Sequence, residues 1–259
     1  MTTPQQLRRE AIRMTAHAET GHIPSNLSAI EIIHTLFMRV LKLDPERPDW
    51  PDRDRFIPSK GHCAAAIYLA MAAAGLFDRK RLDAFNVDGG EVPAILARYG
   101  LPGLEADSGP LGRGISIGIG VALAAKHDNR DYRTYVLVGD GECQEGQIWE
   151  AAMLAPTLKL DNLVVIVDDN RLQGSFVTSE VIESKLDEQF AAFGWQVHRV
   201  DGHSVEELEE ALRAPQDRPK VVLATTVKGK GVAMMEHEPD WHYRRLTFSE
   251  LVVSLRGLR

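Results

Sequence analysis

Two triplets carry the chemistry that this chain offers. Gly139-Asp140-Gly141 closes the apolar run TYVLV, and Asp168-Asp169-Asn170 closes the next one, LVVIV, with about one helix of sequence between them. In a parallel sheet, ligands collect beyond the carboxyl ends of the strands, where loops lead into helices. Both triplets fall at such ends, on strands joined by one crossover, and should lie side by side. Gly141 lets the backbone come close to a ligand, a helix starting near Glu145 points free N–H groups outward, and Asp140 supplies a hard carboxylate oxygen. Asn170 adds an amide oxygen. With one backbone carbonyl, this donor set suits octahedral Mg²⁺, whose other positions go to phosphate oxygens and water. The pair therefore predicts a diphosphate carried on a divalent ion. Either triplet alone would read as a solvated turn; their pairing favours a site.

The elements that must position these triplets follow from periodicity. Apolar residues recur at helical spacing from about Gln5 to Glu19 and from Leu27 to Leu41, separated by the loop ETGHIPSN. A short strand, RFIPS, precedes an alanine-rich helix ended by Gly75. The segment from Phe77 to Gly109 is loose and rich in Gly and Pro. PLGRGISIGIGVALAAK then looks like a buried helix whose small residues let it approach another backbone. Its glycines resemble a dinucleotide fingerprint only superficially, because no strand leads into them. From Arg133 onward, short β-branched runs alternate with helices: TYVLVGD, a helix over about Glu145 to Leu158, LVVIVDD, a helix before Phe193, WQVHRV, VEELEEALR and VVLATT. The pattern predicts a doubly wound α/β domain with a mostly parallel sheet and helices on both faces. A single domain over 1–259 is expected.

Composition narrows the classes. The chain has 259 residues, 44% hydrophobic and 26% charged, and a formal net charge of −7. That balance argues against non-specific nucleic-acid binding. The apolar runs are too short to span a membrane, and the N-terminus lacks the apolar core of a secretory signal, so a cytoplasmic location is expected. Cys63 and Cys143 alone build neither a disulfide scaffold nor a multi-cysteine metal site.

Over nearly its whole length the sequence resembles the N-terminal half of a transketolase, the half that binds the diphosphate of thiamin diphosphate. The stretches that carry the resemblance are ETGHIPSNLSAIEI, DWPDRDRFIPSKGH, SGPLGRGISIGIGVALAAK, YRTYVLVGDGECQEGQIWEAA, KLDNLVVIVDDNRLQG, FGWQVHRVDGH and ATTVKGKGVAMMEHEPDWH. It implies a PP-type thiamin diphosphate-binding fold, with Asp140, Asn170 and the carbonyl of Leu172 as ligands of Mg²⁺ or of another divalent cation such as Ca²⁺ or Mn²⁺. Gly139, Gly141 and Glu142 belong to the same diphosphate loop, Gly141 bonding through its N–H. Lys60 and Lys228 match basic residues near the cofactor, and Gly109, Pro110 and Leu111 match the loop that meets the aminopyrimidine ring. His62 matches a histidine close to the diphosphate and the reacting carbon. His22 and His242 match channel histidines that handle the sugar's hydroxyl protons, a task suited to imidazole. Glu145 matches a glutamate of an acidic network that links paired active sites. His34, His198 and His203 have no such match and are expected to be structural.

The same resemblance implies that the glutamate activating the aminopyrimidine comes from a pyrimidine-binding domain outside this sequence. A second chain, the transketolase C-terminal half, is therefore expected as partner in an α2β2 assembly acting on sugar phosphates. The sequence departs from the family in three places. Gly21-His22-Ile23-Pro24 replaces the usual Gly-His-Pro-Gly, and a further Gly-His-Pro expected between Asn86 and Tyr99 is missing, with Ile95 nearest by spacing. Arg113 also stands where glutamine is usual. These changes leave the cofactor site intact and bear on donor or acceptor. The alternatives are a specialised transketolase-like enzyme using a modified sugar or an acyl carrier, and a non-catalytic cofactor-binding module.

Overall fold

A computed structural model describes residues 2–98 and 101–258; of the segment in which the family histidine is missing, Tyr99 lies outside the described residues. The strands are β1 (Arg55–Pro58), β2 (Thr134–Gly139), β3 (Leu163–Asp169), β4 (Leu172–Gln173), β5 (Phe176–Val177), β6 (Gln196–Asp201) and β7 (Lys220–Thr225). The helices are α1 (Pro4–His17), α2 (Ile23–Ser28), α3 (Ile30–Thr35), α4 (Ala64–Ala73), α5 (Arg113–His127), α6 (Gly146–Thr157), α7 (Thr178–Val181), α8 (Leu186–Ala192), α9 (Val205–Arg213) and α10 (Phe248–Gly257). β1, β2, β3, β7 and β6 form, in that spatial order, a five-stranded sheet in which every pairing is parallel. β4 and β5 make a small antiparallel hairpin beyond the end of β3.

The continuous apolar character of the strands has a direct cause: both faces are covered. Along β2 and β3, Tyr135, Leu137, Val164 and Ile166 enter one core with α1, α3, α4 and α9. Val136, Val138, Leu163, Val165 and Val167 enter the other, under α5, α6 and α8. The doubly wound parallel α/β architecture expected from the alternating pattern is the one observed. Gly114 and Gly118 of α5 sit against Ser59 and Val136, where a side chain would collide, whereas Gly120 faces open space. No helix among the described residues is long and apolar enough to cross a membrane.

The N-terminal region differs from the periodicity reading. The second helix begins at Ile23 rather than Leu27, because Pro24 occupies its first turn, where a missing N–H costs nothing. It breaks at Ala29, restarts as α3 and ends in a π turn over Leu36–Val40. The loop shrinks to little more than Glu19 to His22, and His22 caps α2 with φ 63°. α10, opened by a Thr247–Glu250 capping box, has no counterpart in the sequence reading.

Candidate active site

The carboxyl ends of β1, β2, β3 and β7 open onto one cavity of about 650 Å³. Register fixes its floor: Gly139 pairs with Asp168, and Asp168 with Ala224, so the loops after three neighbouring strands leave the sheet together. Asp140 is buried, and its Oδ2 accepts from the Arg171 N–H (2.7 Å) and the Thr178 hydroxyl (3.0 Å). Burial, with Asp168 and Asp169 adding repulsion, pushes its carboxyl up to about 6. No ion pair neutralises Asp140 among the described residues. Asn170 Oδ1 accepts from the Leu172 N–H (3.1 Å), and the Leu172 carbonyl accepts from Lys228 Nζ (3.3 Å). Asp140, Asn170 and Leu172 thus line one cavity. No three His, Cys, Asp or Glu side chains cluster for a metal among the described residues. A cation held here would need to complete its shell with ligand oxygens and water, as Mg²⁺ does beside phosphates. The buried Gln173 Oε1, on the cavity wall, has no hydrogen-bond partner. The donors present fit a metal–diphosphate group.

Around these donors lies a buried scaffold that the sequence reading does not single out. Asp168 accepts from Lys60 Nζ, Thr226 Oγ1, Ser28 Oγ (2.6 Å) and Asn170 Nδ2 (3.3 Å). Burial alone would raise its carboxyl, but the Lys60 ammonium and these donors hold it below the ordinary carboxylate value. Lys60 therefore lines the cavity with its charge already matched by Asp168. Lys228 is less well matched: burial and the nearby Lys60 lower it to about 8. Glu142 also lines the cavity, but its carboxylate is taken up by Ser59 Oγ, the Gly112 N–H (2.8 Å) and the Gly139 N–H (3.0 Å). Its evident work is to join three loops. Glu145 is exposed at the mouth, where α6 begins. Gly109 and Leu111 line the cavity; Pro110, exposed between them, is not part of its wall.

The opposite end holds three histidines brought together from distant parts of the chain. The His22 ring lies 5.2 Å from both His62 and His242, and those two are 5.9 Å apart. Burial, reinforced by Lys228 and Lys60, lowers His22 to about 4. Burial and Lys228 lower His242 to about 3, and burial with Lys60 takes His62 well below its ordinary value. All three are neutral near pH 7. Lys228 Nζ donates to His242 Nδ1 (2.8 Å), which leaves Nε2 to carry the ring proton. Ile95 lines the same cavity, its segment tied down by the Leu96 N–H to the Gly61 carbonyl (3.2 Å) and the Ser108 N–H to the Leu96 carbonyl (3.0 Å). At the spacing where the resemblance calls for a histidine, the cavity wall thus carries an apolar residue.

Ser25, Gln144, Gln173, Phe176 and Ile182 complete much of the wall. Gln173 and Phe176 belong to the β4–β5 hairpin, whose only sequence cue is Gly174, with φ 48°. His34 and His198 stay outside the cavity, bonded to the Thr2 carbonyl and Gln196. His203 accepts the Val227 N–H at Nε2 (2.9 Å) and donates from Nδ1 to Glu31 (2.9 Å), propping the loop that carries Lys228 from behind.

Comparison with known proteins agrees with this geometry. Residues 3–254 match the family model for the transketolase thiamine diphosphate binding domain. One of the subunits of the apulose-4-phosphate transketolase of Phocaeicola vulgatus is 40% identical over 91% of this chain and 85% of that protein. The 6-deoxy-6-sulfo-D-fructose transketolase subunit of a Clostridium species is 39% identical over 88% of this chain and 84% of its own length. Among solved structures, the transketolase from Leishmania mexicana superposes with a TM-score of 0.90 at 29% identity, covering 98% of this chain and 41% of that one. The Campylobacter jejuni transketolase gives 0.91 at 28% identity, over 100% and 43%. This chain spans about two fifths of the solved transketolases that it matches. The fold, the strand-end cavity and the matches over most of the sequence agree: the chain belongs to the transketolase family, as its thiamine diphosphate-binding domain.

Proposed function

We propose that this chain is the diphosphate-binding subunit of a two-chain transketolase, which moves a two-carbon ketol unit from a ketose phosphate to an aldose. One observation carries the reading: a carboxylate, amide and carbonyl donor set (Asp140, Asn170, Leu172) shares a single cavity with three neutral histidines. Thiamin diphosphate, when bound, supplies the electron sink that C–C cleavage requires. Asp140, Asn170 and the Leu172 carbonyl would hold its diphosphate by way of Mg²⁺, or of Ca²⁺ or Mn²⁺, and Gly141 would permit the close backbone approach. His22, His62 and His242, neutral at working pH, accept and return protons at substrate oxygens. The pyrimidine-binding domain and its glutamate come from a partner chain in an α2β2 assembly; the naming of the similar proteins as subunits supports this. Glu145, exposed at the mouth, stands where such a partner would meet it. The assembly is expected in the cytoplasm.

Ile95 favours a refinement, a donor or acceptor that differs from common sugar phosphates. The similar subunits are named for apulose 4-phosphate and 6-deoxy-6-sulfo-D-fructose, which supports a modified sugar.

The test is reconstitution. Calorimetry on the assembled protein should show thiamin diphosphate binding that needs a divalent cation and is lost, by at least about 100-fold in affinity, in Asp140→Ala. Ketol transfer should appear only when the partner is added. Metal-independent binding, or full turnover by the scrupulously pure chain, would overturn the proposal.

A further inference from the structure

No hydrogen bond holds the His22 ring among the described residues, although the residue adopts φ 63°, unusual for a side chain of this size. Its orientation rests on packing. On the cavity side it meets His62 and His242; on another side it meets Tyr243, ring to ring at 4.7 Å and 63°. Tyr243 is not part of the cavity wall and is 61% exposed. It nonetheless has a seat. A methyl group added to Gly21 would lie 2.5 Å from Tyr243 Cδ2 and 2.9 Å from Cγ and Cε2, so the ring rests directly on the glycine backbone. The flanking residues pin it there: Trp241 is buried, Arg244 stacks on it at 4.0 Å and pairs with Glu250 at 2.5 Å.

We propose that Tyr243, seated on Gly21, is a positioning residue that fixes the plane of the His22 imidazole and keeps water off one side of it. The inference rests on the proposed function only in giving His22 a proton-handling task. A ring without hydrogen bonds is held only as well as its neighbours hold it, and small misplacements of a reacting group cost rate steeply. The charged and titratable groups facing His22 are His62, His242, Lys228, Lys60 and the phenol-bearing Tyr243 itself. Admitting water on the Tyr243 side weakens the burial that keeps the imidazole neutral in acid.

The primary readout needs no turnover. Histidine-labelled full-length chain is titrated by NMR, with the His22 signal assigned through His22→Gln. In Tyr243→Ala the His22 midpoint should rise by about one unit or more, while Tyr243→Phe, which keeps the ring, should leave it in place. Gly21→Ala should reproduce the Tyr243→Ala shift, and the double variant should add little to either. In the assembled enzyme, Tyr243→Ala should lower kcat about tenfold with KM within about twofold, and Tyr243→Phe should restore it. Should Tyr243→Ala fail to fold, Tyr243→Leu is titrated in its place. An unmoved His22 midpoint in the folded variant overturns the proposal. Absence of ketol transfer by the wild-type assembly would instead overturn the functional reading and leave the titration result standing.

Discussion

The two ends of the cavity are built differently. At the diphosphate end, Asp140, Glu142, Asp168 and Asn170 stand at or just beyond strand ends and are locked by backbone and hydroxyl donors in a buried network. At the histidine end, His22, His62, Ile95 and His242 come from four separate loops or helix starts, and ring packing does most of the holding. A strand end offers little freedom, because its neighbours' register fixes where the loop begins. A loop residue can be exchanged without disturbing the sheet. Of the sequence departures from the family, Ile95 lines the second end, where substrate is recognised in the proposed function, whereas the Ile23 side chain is buried in a core with Ile12, Leu27 and Trp241 and does not reach the cavity wall.

The contrast can be broken most forcefully at its rigid side. Asp168→Asn leaves the Lys60 ammonium buried without its carboxylate, and the loss of stability should be about 3–5 kcal/mol by chemical denaturation. Replacing both, as Lys60→Met with Asp168→Leu, should recover only the part of that loss due to the unpaired ammonium, because Ser28, Thr226 and Asn170 still lose their acceptor. If Asp168→Asn alone cost under about 1 kcal/mol, the picture of a rigid network would be wrong.

A smaller effect is expected at the adaptable side. Ile95→His, assayed in the assembled enzyme, should change the ratio of kcat/KM between ordinary ketose phosphates and modified ones by about tenfold, with thermal stability nearly unchanged. An unchanged ratio across a broad panel would remove Ile95 from the specificity argument.

A pH effect is spread over several units and should show as a gradual slope. His22, lowered to about 4 in the fold against an ordinary 6.5, binds fewer protons folded than unfolded between those values. Its contribution to stability is complete above pH 6.5 and is lost as pH falls toward 4; His242, lowered to about 3, behaves alike. The decline of Tm over that window should be shallower in a His22→Gln, His242→Gln double variant. Parallel curves would show that other groups govern acid sensitivity.

What is legible in the sequence divides along the same line. Gly139-Asp140-Gly141 and Asp168-Asp169-Asn170 can be placed at adjoining strand ends because β-branched runs and their terminating turns are local signals. Asp140 and Asn170 stand out as candidate metal donors by residue type, whereas the Leu172 carbonyl comes only from the family resemblance. Asp168 is visible as a strand end, but its grip on Lys60, Ser28, Thr226 and Asn170 is not, since that depends on which strands neighbour β3. The start of α2 is misplaced by periodicity because a proline can open a helix as readily as it can belong to a loop. Tyr243 on Gly21 leaves no trace in the sequence: the two are brought together only by the folding of the C-terminal segment over α1 and α2. The family resemblance supplies the histidines, and no periodicity could do so.

Glu142 has a consequence for the order in which the molecule becomes competent. Its carboxylate gathers Ser59, Gly112 and Gly139, which are 83, 30 and 3 residues away along the chain. Two of these contacts close long loops, whose entropy must be surrendered before the hydrogen bonds return anything. The turn at Gly139 can form early and locally, whereas its connection to the β1 and α5 loops waits until the sheet and the α5 layer have docked. During refolding, ligand-binding capacity should therefore lag behind the recovery of helical signal and arrive in one step rather than by degrees.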